Sequence, residues 1–255
     1  MKIPVTALRE FYRILSLYSI KTNISILDDY NRGNNYLKLV ELFYKSKKQF
    51  EIYHNTESFI SNSRRKALPV APTKISNTND VVSLLEQNKV NIVVNNKSLN
   101  FRYIEREISP LRTTGNSMFL TGESSKKSGT GGLDFIALNE KDNLPILGEI
   151  KVKNDKNHFY AIIQLLTYLS EMSTPNQIDR INATGLYDNI RLDTDKFYLY
   201  IISSQYNMRS KPRQKILSNS NELAEKLKNG INEIKDIVFL EFNEPGGKIE
   251  QNNEL

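Results

Sequence analysis

The sequence predicts an α/β chain: a mixed central β-sheet flanked by helices, preceded by a mostly helical N-terminal extension. Three observations carry this. From residue 130 onward, short apolar segments and helical patterns alternate in the order β-β-α-β-α-β, which buries a sheet between helices. Residues 197–203 (FYLYIIS) are apolar throughout, the pattern of a strand covered on both faces. Before residue 98, apolar residues recur mainly at helical spacing.

Val5, Leu8, Phe11, Tyr12, Leu15 and Tyr18 predict a first helix over 5–19. A second, over about 34–48, lines up Tyr36, Leu37, Val40, Phe43 and Tyr44, with Lys45, Lys47 and Lys48 in its last turns, where cations suit the helix dipole. Pro69 and Pro72 make 61–77 an exposed connector. A short helix over about 79–88 takes Thr78 or Asn79 as its cap. Residues 90–105 alternate like strands around an Asn-rich turn, yet Phe101, Ile104, Ile108 and Leu111 also fit a helix. GGLDFIAL then reads as a strand, NEKDN as a turn and LPILGEIKV as a second strand. Helices follow over 156–172 and 221–235, and a last strand over 237–242. The tail from Glu244 is expected to fray. The chain divides into a basic, mostly helical region (1–97), a core (98–244) and a flexible tail (245–255).

Composition narrows the classes. With 39% hydrophobic and 25% charged residues among 255, the chain can fill a core and is not disordered throughout. No apolar run approaches the roughly 18 residues of a membrane span. The N-terminal stretch carries charges where a signal peptide would be apolar. Without cysteine there is no disulfide, thiolate metal site or thiol nucleophile. The expectation is a soluble cytoplasmic protein without a membrane partner. The net charge of +6 is uneven: residues 1–75 hold 13 Lys+Arg against 6 Asp+Glu, and the remainder 22 against 23. A basic region beside a neutral one suits a polyanionic partner, and a solvated Lys-rich surface is the bland alternative.

Two acids stand inside apolar strands, where an unpaired carboxylate is costly: Asp134 in GGLDF and Glu149 in LGEIK. Alternation sends Ile146, Gly148, Ile150 and Val152 to one face and Leu147, Glu149, Lys151 and Lys153 to the other, so Glu149 and Lys151 lie about 7 Å apart along one face. An antiparallel hairpin closed at Asn139–Asn143 brings Asp134 opposite about Ile150, one residue from Glu149, a difference that a bulge could close. Two carboxylates and one backbone carbonyl, that of Ile150, are a hard-oxygen set suited to Mg²⁺, which keeps further positions for water and phosphate. Lys151 beside them can position or deprotonate a water, or stabilise a pentavalent phosphate.

These residues resemble the PD-(D/E)xK nuclease superfamily: Gly-Leu-Asp134, a turn, then Gly-Glu149-Ile-Lys151. The following helix carries Gln164-Leu-Leu-Thr-Tyr168, which is similar to the QxxxY motif of RecB-like members. The resemblance spans about 99–205, with its motifs within about 130–170, and lacks the proline often found before the Asp. It implies a restriction-endonuclease-like core, Mg²⁺ (with Mn²⁺ substituting) on Asp134 and Glu149, a catalytic Lys151, and Gln164 and Tyr168 ordering the site or contacting the DNA backbone. Members often add an acid from the helix before the first strand. Glu105 and Glu107 are the candidates, periodicity does not choose between them, and Glu105 is taken. The activity implied is DNA cleavage, in restriction, phage defence or repair. RNA cleavage and a catalytically inactive DNA-binding protein of the same fold are the alternatives.

Basic segments supply candidate nucleic-acid contacts: Lys126 and Lys127 in a Gly/Ser-rich loop before Asp134, then Arg209, Lys211, Arg213 and Lys215 after the apolar strand 197–203, then Arg64, Arg65 and Lys66. Each alone also reads as solvated charge. The Gly122–Ser128 stretch lacks the Gly-Lys-Ser/Thr ending of a phosphate-binding loop. His54 and His158 have no metal-spaced partner, and His158, starting a helix, is expected at the surface. A homodimer is expected on mechanism, because a single site cuts one strand at a time.

Overall fold

Strands that are apolar on both faces need cover above and below, and the sheet of this protein has it. The computed structural model describes residues 6–54, 56, 59, 77–87, 92–94, 97–99, 101–108, 110, 132–152, 157–187, 190–204, 211–242 and 249–251. The elements run α1 (Ala7–Ser16), α2 (Ile20–Asn31), α3 (Leu37–Phe50), α4 (Thr78–Glu86), β1 (Ile92–Val94), β2 (Lys97–Leu99), β3 (Phe101–Ile108), β4 (Leu133–Asn139) and β5 (Leu144–Lys151). They continue with α5 (His158–Met172), α6 (Pro175–Thr184), β6 (Phe197–Ser204), α7 (Lys211–Gly230), β7 (Ile234–Phe242) and β8 (Ile249–Gln251). The eight strands among the described residues form one mixed sheet, in the order β2-β1-β8-β7-β6-β5-β4-β3, and the five long strands β3–β7 are its body.

β3, β4 and β5 form an antiparallel meander, whereas β5, β6 and β7 are parallel. Parallel neighbours need crossovers, and α5 with α6 and then α7 provide them. On one face Leu138, Leu147, Leu199, Ile201 and Phe239 share a hydrophobic cluster with α5 and α7, and α1 and α3 pack in turn on α5. On the other, Phe135, Ala137, Ile146, Ile150, Tyr200 and Ile202 pack with Val81, Val82, Leu84 and Leu85 of α4. The α/β class and the flanked mixed sheet thus follow from the pattern that predicted them.

Local chemistry fixes the helix ends. The Thr6 hydroxyl accepts the Arg9 amide at the start of α1, and Asn77 and Asp80 form a reciprocal capping box on α4, so the cap precedes the expected Thr78 or Asn79. Gly185, with φ of 63°, ends α6 in the left-handed conformation that glycine adopts without strain.

Several elements depart from the sequence expectation. Of the two readings open for residues 101–108, the alternating strand is the one observed, because β4 offers them a ladder, and it is the helix assumed for Glu105 that fails. α2 and α6 were not foreseen. Each has an irregular apolar pattern and is held by its neighbours; Asn31 of α2, for example, donates to the Asn219 carbonyl of α7. α7 starts at Lys211 rather than 221, since Pro212 is tolerated in a first turn and Ile216 and Leu217 continue its buried stripe. Residues 249–251, in the tail expected to fray, pair with β7 and β1. The N-terminal helices share one hydrophobic cluster with the 98–244 segment, from Leu8, Leu27 and Phe43 to Leu166 and Leu223. No helix among the described residues is long and apolar enough to cross a membrane.

The hairpin that matters most is β4–β5. Asn139 accepts the Lys141 amide, Asp142 accepts the Leu144 amide, and Asn143 takes a φ of 54°, closing the turn. The ladder pairs Phe135 with Gly148, which carries Asp134 opposite Glu149 itself; the expected bulge is unnecessary because the register is one residue shorter. A Cβ at position 148 would overlap the fully buried Phe135 ring. Gly148→Ala should therefore cost about 1–3 kcal/mol in urea unfolding, with part recovered by adding Phe135→Leu. Wild-type stability in Gly148→Ala would show that the ring does not hold this register.

Candidate active site

β5 is the strand where antiparallel and parallel pairing meet, and its carboxyl end lies beside that of β6, with Lys151 paired to Ser203. The carboxyl ends of parallel strands in open α/β sheets are where ligands bind, because loops and helix starts converge there. Asp134, Glu149 and Lys151 stand at this end, on the face toward α5.

Glu149 and Lys151 are each 3% exposed, and Lys151 Nζ donates to Glu149 Oε1 at 3.0 Å. Asp134 is half-buried, and its Oδ2 accepts the Ile150 amide at 2.7 Å. Burial, followed by the negative charge of Glu149, holds the Asp134 carboxyl well above the usual carboxylate range; Lys151 and the Ile150 amide oppose this only in part. Two acids thus face each other, and the Lys151 ammonium is bonded to one of them. A divalent cation would relieve their repulsion, and the donor set of two carboxylates is hard oxygen, the chemistry that Mg²⁺ requires. Among the described residues no group of three or more His, Cys, Asp or Glu is arranged to hold a metal.

The wall of the site is α5, begun by Asn157, whose side chain accepts the Tyr160 amide. Tyr160, Gln164 and Tyr168 recur at four-residue spacing and so share one side of this helix. Gln164 and Tyr168 are buried. Lys151 Nζ stands 5.1 Å from the centre of the Tyr160 ring, within cation–π range. From α1, Tyr12 stacks on Tyr160 with ring centroids 4.7 Å apart, and the Arg9 guanidinium lies 5.6 Å from the Tyr168 ring centroid. Arg9 also makes a two-pronged ion pair with Glu171, which is fully buried on α5. Burial raises the Glu171 carboxyl even though Arg9 opposes it.

Sequence reasoning missed Tyr12, Tyr160, Arg9 and Glu171. Two signals were legible. Tyr160 extends the Gln164–Tyr168 spacing back by one turn, and Glu171 is a charge in an otherwise apolar helix, which demands a partner as Asp134 did.

Of the other candidates, Ile150 and Glu107 lie next to Asp134 and the rest lie elsewhere or outside the described residues. Ile150 turns its side chain to the opposite face, leaving its backbone at the site. Glu105 lies on β3, not on a helix, pairs across from Ile136, and accepts the Arg106 amide at 2.9 Å. Glu107 falls between the pairs that flank Asp134, with φ of 53°. Lys215 lies on α7 rather than in a loop and pairs with Asp28 of α2. Lys211 and Arg213 belong to the first turn of the same helix. Lys126, Lys127, Arg209, Arg64, Arg65 and Lys66 lie outside the described residues. His158 is buried, not at the surface, with its ring centroid 5.6 Å from that of Phe239; His54 is exposed.

Comparisons with protein-family models, curated proteins and solved structures find no match to this chain.

Because the folded-state pKa of Asp134 is raised, its stabilising contribution is present at acid pH and lost as pH rises through that value. Asp134→Asn keeps an acceptor for the Ile150 amide and removes one of the two facing charges. In metal-free buffer it should raise the Tm at neutral pH by a few degrees, about 2–4 °C for each kcal/mol gained, with the gain vanishing in acid. An unchanged or lower Tm at neutral pH would mean that the acids do not repel.

Proposed function

We propose that this protein is a Mg²⁺-dependent nuclease of the PD-(D/E)xK type that hydrolyses phosphodiester bonds in DNA, built on a restriction-endonuclease-like core. The observation that carries the reading is the meeting of Asp134 and Glu149 on adjacent strands with Lys151 bonded to Glu149, all on one face at the carboxyl end of β5. Burying two acids against each other weakens a fold, and such an arrangement is retained where function needs it.

Asp134 and Glu149 would hold the cation, with the Ile150 carbonyl as a third protein ligand. Bound Mg²⁺ supplies charge neutralisation on the scissile phosphate and lowers the pKa of a coordinated water. Lys151, restrained by Glu149 and the Tyr160 ring, would orient the attacking water or offset the charge that develops on the phosphate. Gln164 and Tyr168 would order the wall behind it. The cations Lys211 and Arg213, in the helix after β6, follow the strand that ends beside Lys151 and suit backbone phosphates. Restriction, phage defence or repair is the setting that such chemistry fits.

Supercoiled plasmid with Mg²⁺ or Mn²⁺ should be nicked or degraded, and EDTA should stop it. Asp134→Ala and Lys151→Ala, with wild-type circular dichroism, should each lower the rate by about a hundredfold or more. Cleavage that survives both substitutions would place the chemistry elsewhere. RNA cut in preference to DNA would change the substrate, and no cleavage of duplex, single-stranded or RNA substrates would leave a binding protein of this fold.

A further inference from the structure

Tyr12 lies far from the acidic hairpin in sequence, on the N-terminal helix, yet its ring is part of the same cluster. It is 8% exposed and nearly parallel to Tyr160, with ring planes 23° apart. Tyr160 in turn lies beneath the Lys151 ammonium, which reaches Glu149 on its other side. The ammonium is therefore fixed from two directions, by a carboxylate within the strand and by an aromatic face from α5. Tyr160 is half-buried in the first turn of its helix and packs against the main hydrophobic cluster, and Tyr12 stacks on its ring. The height of α1 is set by the Arg9–Glu171 pair one turn before Tyr12, by the Leu8 amide donating to Ser46, and by the Ala7 amide donating to Gln49. Removing either partner of this buried pair would leave an uncompensated charge, which ties the placement of α1 to α5. Burial, and then the neighbouring Tyr160 and Tyr168, also raise the Tyr12 phenol.

We infer that Tyr12 and Tyr160 form a positioning pair that holds the Lys151 ammonium against Glu149, making the N-terminal helix an integral part of the site. The inference concerns how Lys151 is held, and its catalytic consequence rests on the nuclease reading above. The ring does the holding, so the aromatic face matters more than either hydroxyl.

Proton–nitrogen correlation spectra of lysine ammonium groups test this without any need for activity. Lys151 should give a slowly exchanging signal displaced upfield by the Tyr160 ring, assigned by its loss in Lys151→Arg. Tyr160→Phe and Tyr12→Phe should keep the displaced signal. Tyr160→Leu and Tyr12→Leu should return it to the ordinary lysine position or broaden it away, and Tyr12→Met serves if Tyr12→Leu does not fold. In the cleavage assay the non-aromatic variants should lower kcat about tenfold or more with KM little changed, because ground-state binding does not use the ammonium's direction. A wild-type Lys151 signal at the ordinary position, or an unchanged one in folded Tyr12→Leu or Tyr12→Met, overturns the positioning pair whatever the cleavage result. The expected spectral changes in a wild type that cuts nothing would reject the nuclease reading and leave the pair standing.

Discussion

The hydrogen bond from the Ile150 amide to Asp134 ties the two acidic strands together at the point where their charges meet. A backbone amide of β5 is given to a side chain of β4 just beyond the Phe135–Gly148 pair, at the end of the ladder away from the turn. The bond orients one carboxylate toward the other instead of letting it swing away. Most of the surrounding arrangement answers that constraint. Gly148 has no side chain so that Phe135 can cover the hairpin from the far face, and Lys151 offsets part of the charge. α5 then closes the near face, which removes water and magnifies every charge left inside.

The N-terminal helices are bound into this design rather than appended to it. Arg9 reaches Glu171 on α5, Lys47 of α3 reaches both Asp195 and Glu233, and Asp28 of α2 accepts Lys215 and Asn219 of α7. The first of these pairs is buried and the last is partly exposed, so they differ in energetic weight. An exposed pair contributes from nothing to about 1 kcal/mol, whereas severing a buried one leaves an uncompensated charge. The basic excess of the first 75 residues is correspondingly reduced as a free surface, because Arg9 and Lys47 are committed to partners inside the protein.

The acidic hairpin was legible in the sequence because strand alternation has a fixed period. A charge among apolar residues therefore declares its face, and a short Asn-rich turn limits the register to a residue or so. The Gln164–Tyr168 helix was legible for a similar reason. What could not be read was everything that depends on which helix lies over which strand. Tyr12 looked like one more apolar position on an amphipathic stripe, and nothing local marks it as a neighbour of Tyr160. Glu105 was assigned to a helix because four apolar residues happened to fit that period, and only the presence of β4 as a partner makes the segment a strand. Lys215 was read as a loop cation because the helix start was placed at an apolar run, although Pro212 permits a turn and more of helix before it.

The most direct test of the central claim is an anomalous difference map from a crystal of the wild-type protein soaked in Mn²⁺. Asp134 and Glu149 together should hold one ion, within about 2–2.5 Å of an oxygen from each carboxylate, and Asp134→Asn crystals soaked alike should lose the peak. A peak bound elsewhere in the protein, or a wild-type map with no density at these carboxylates, would contradict the assignment of this pair as a metal-binding catalytic centre.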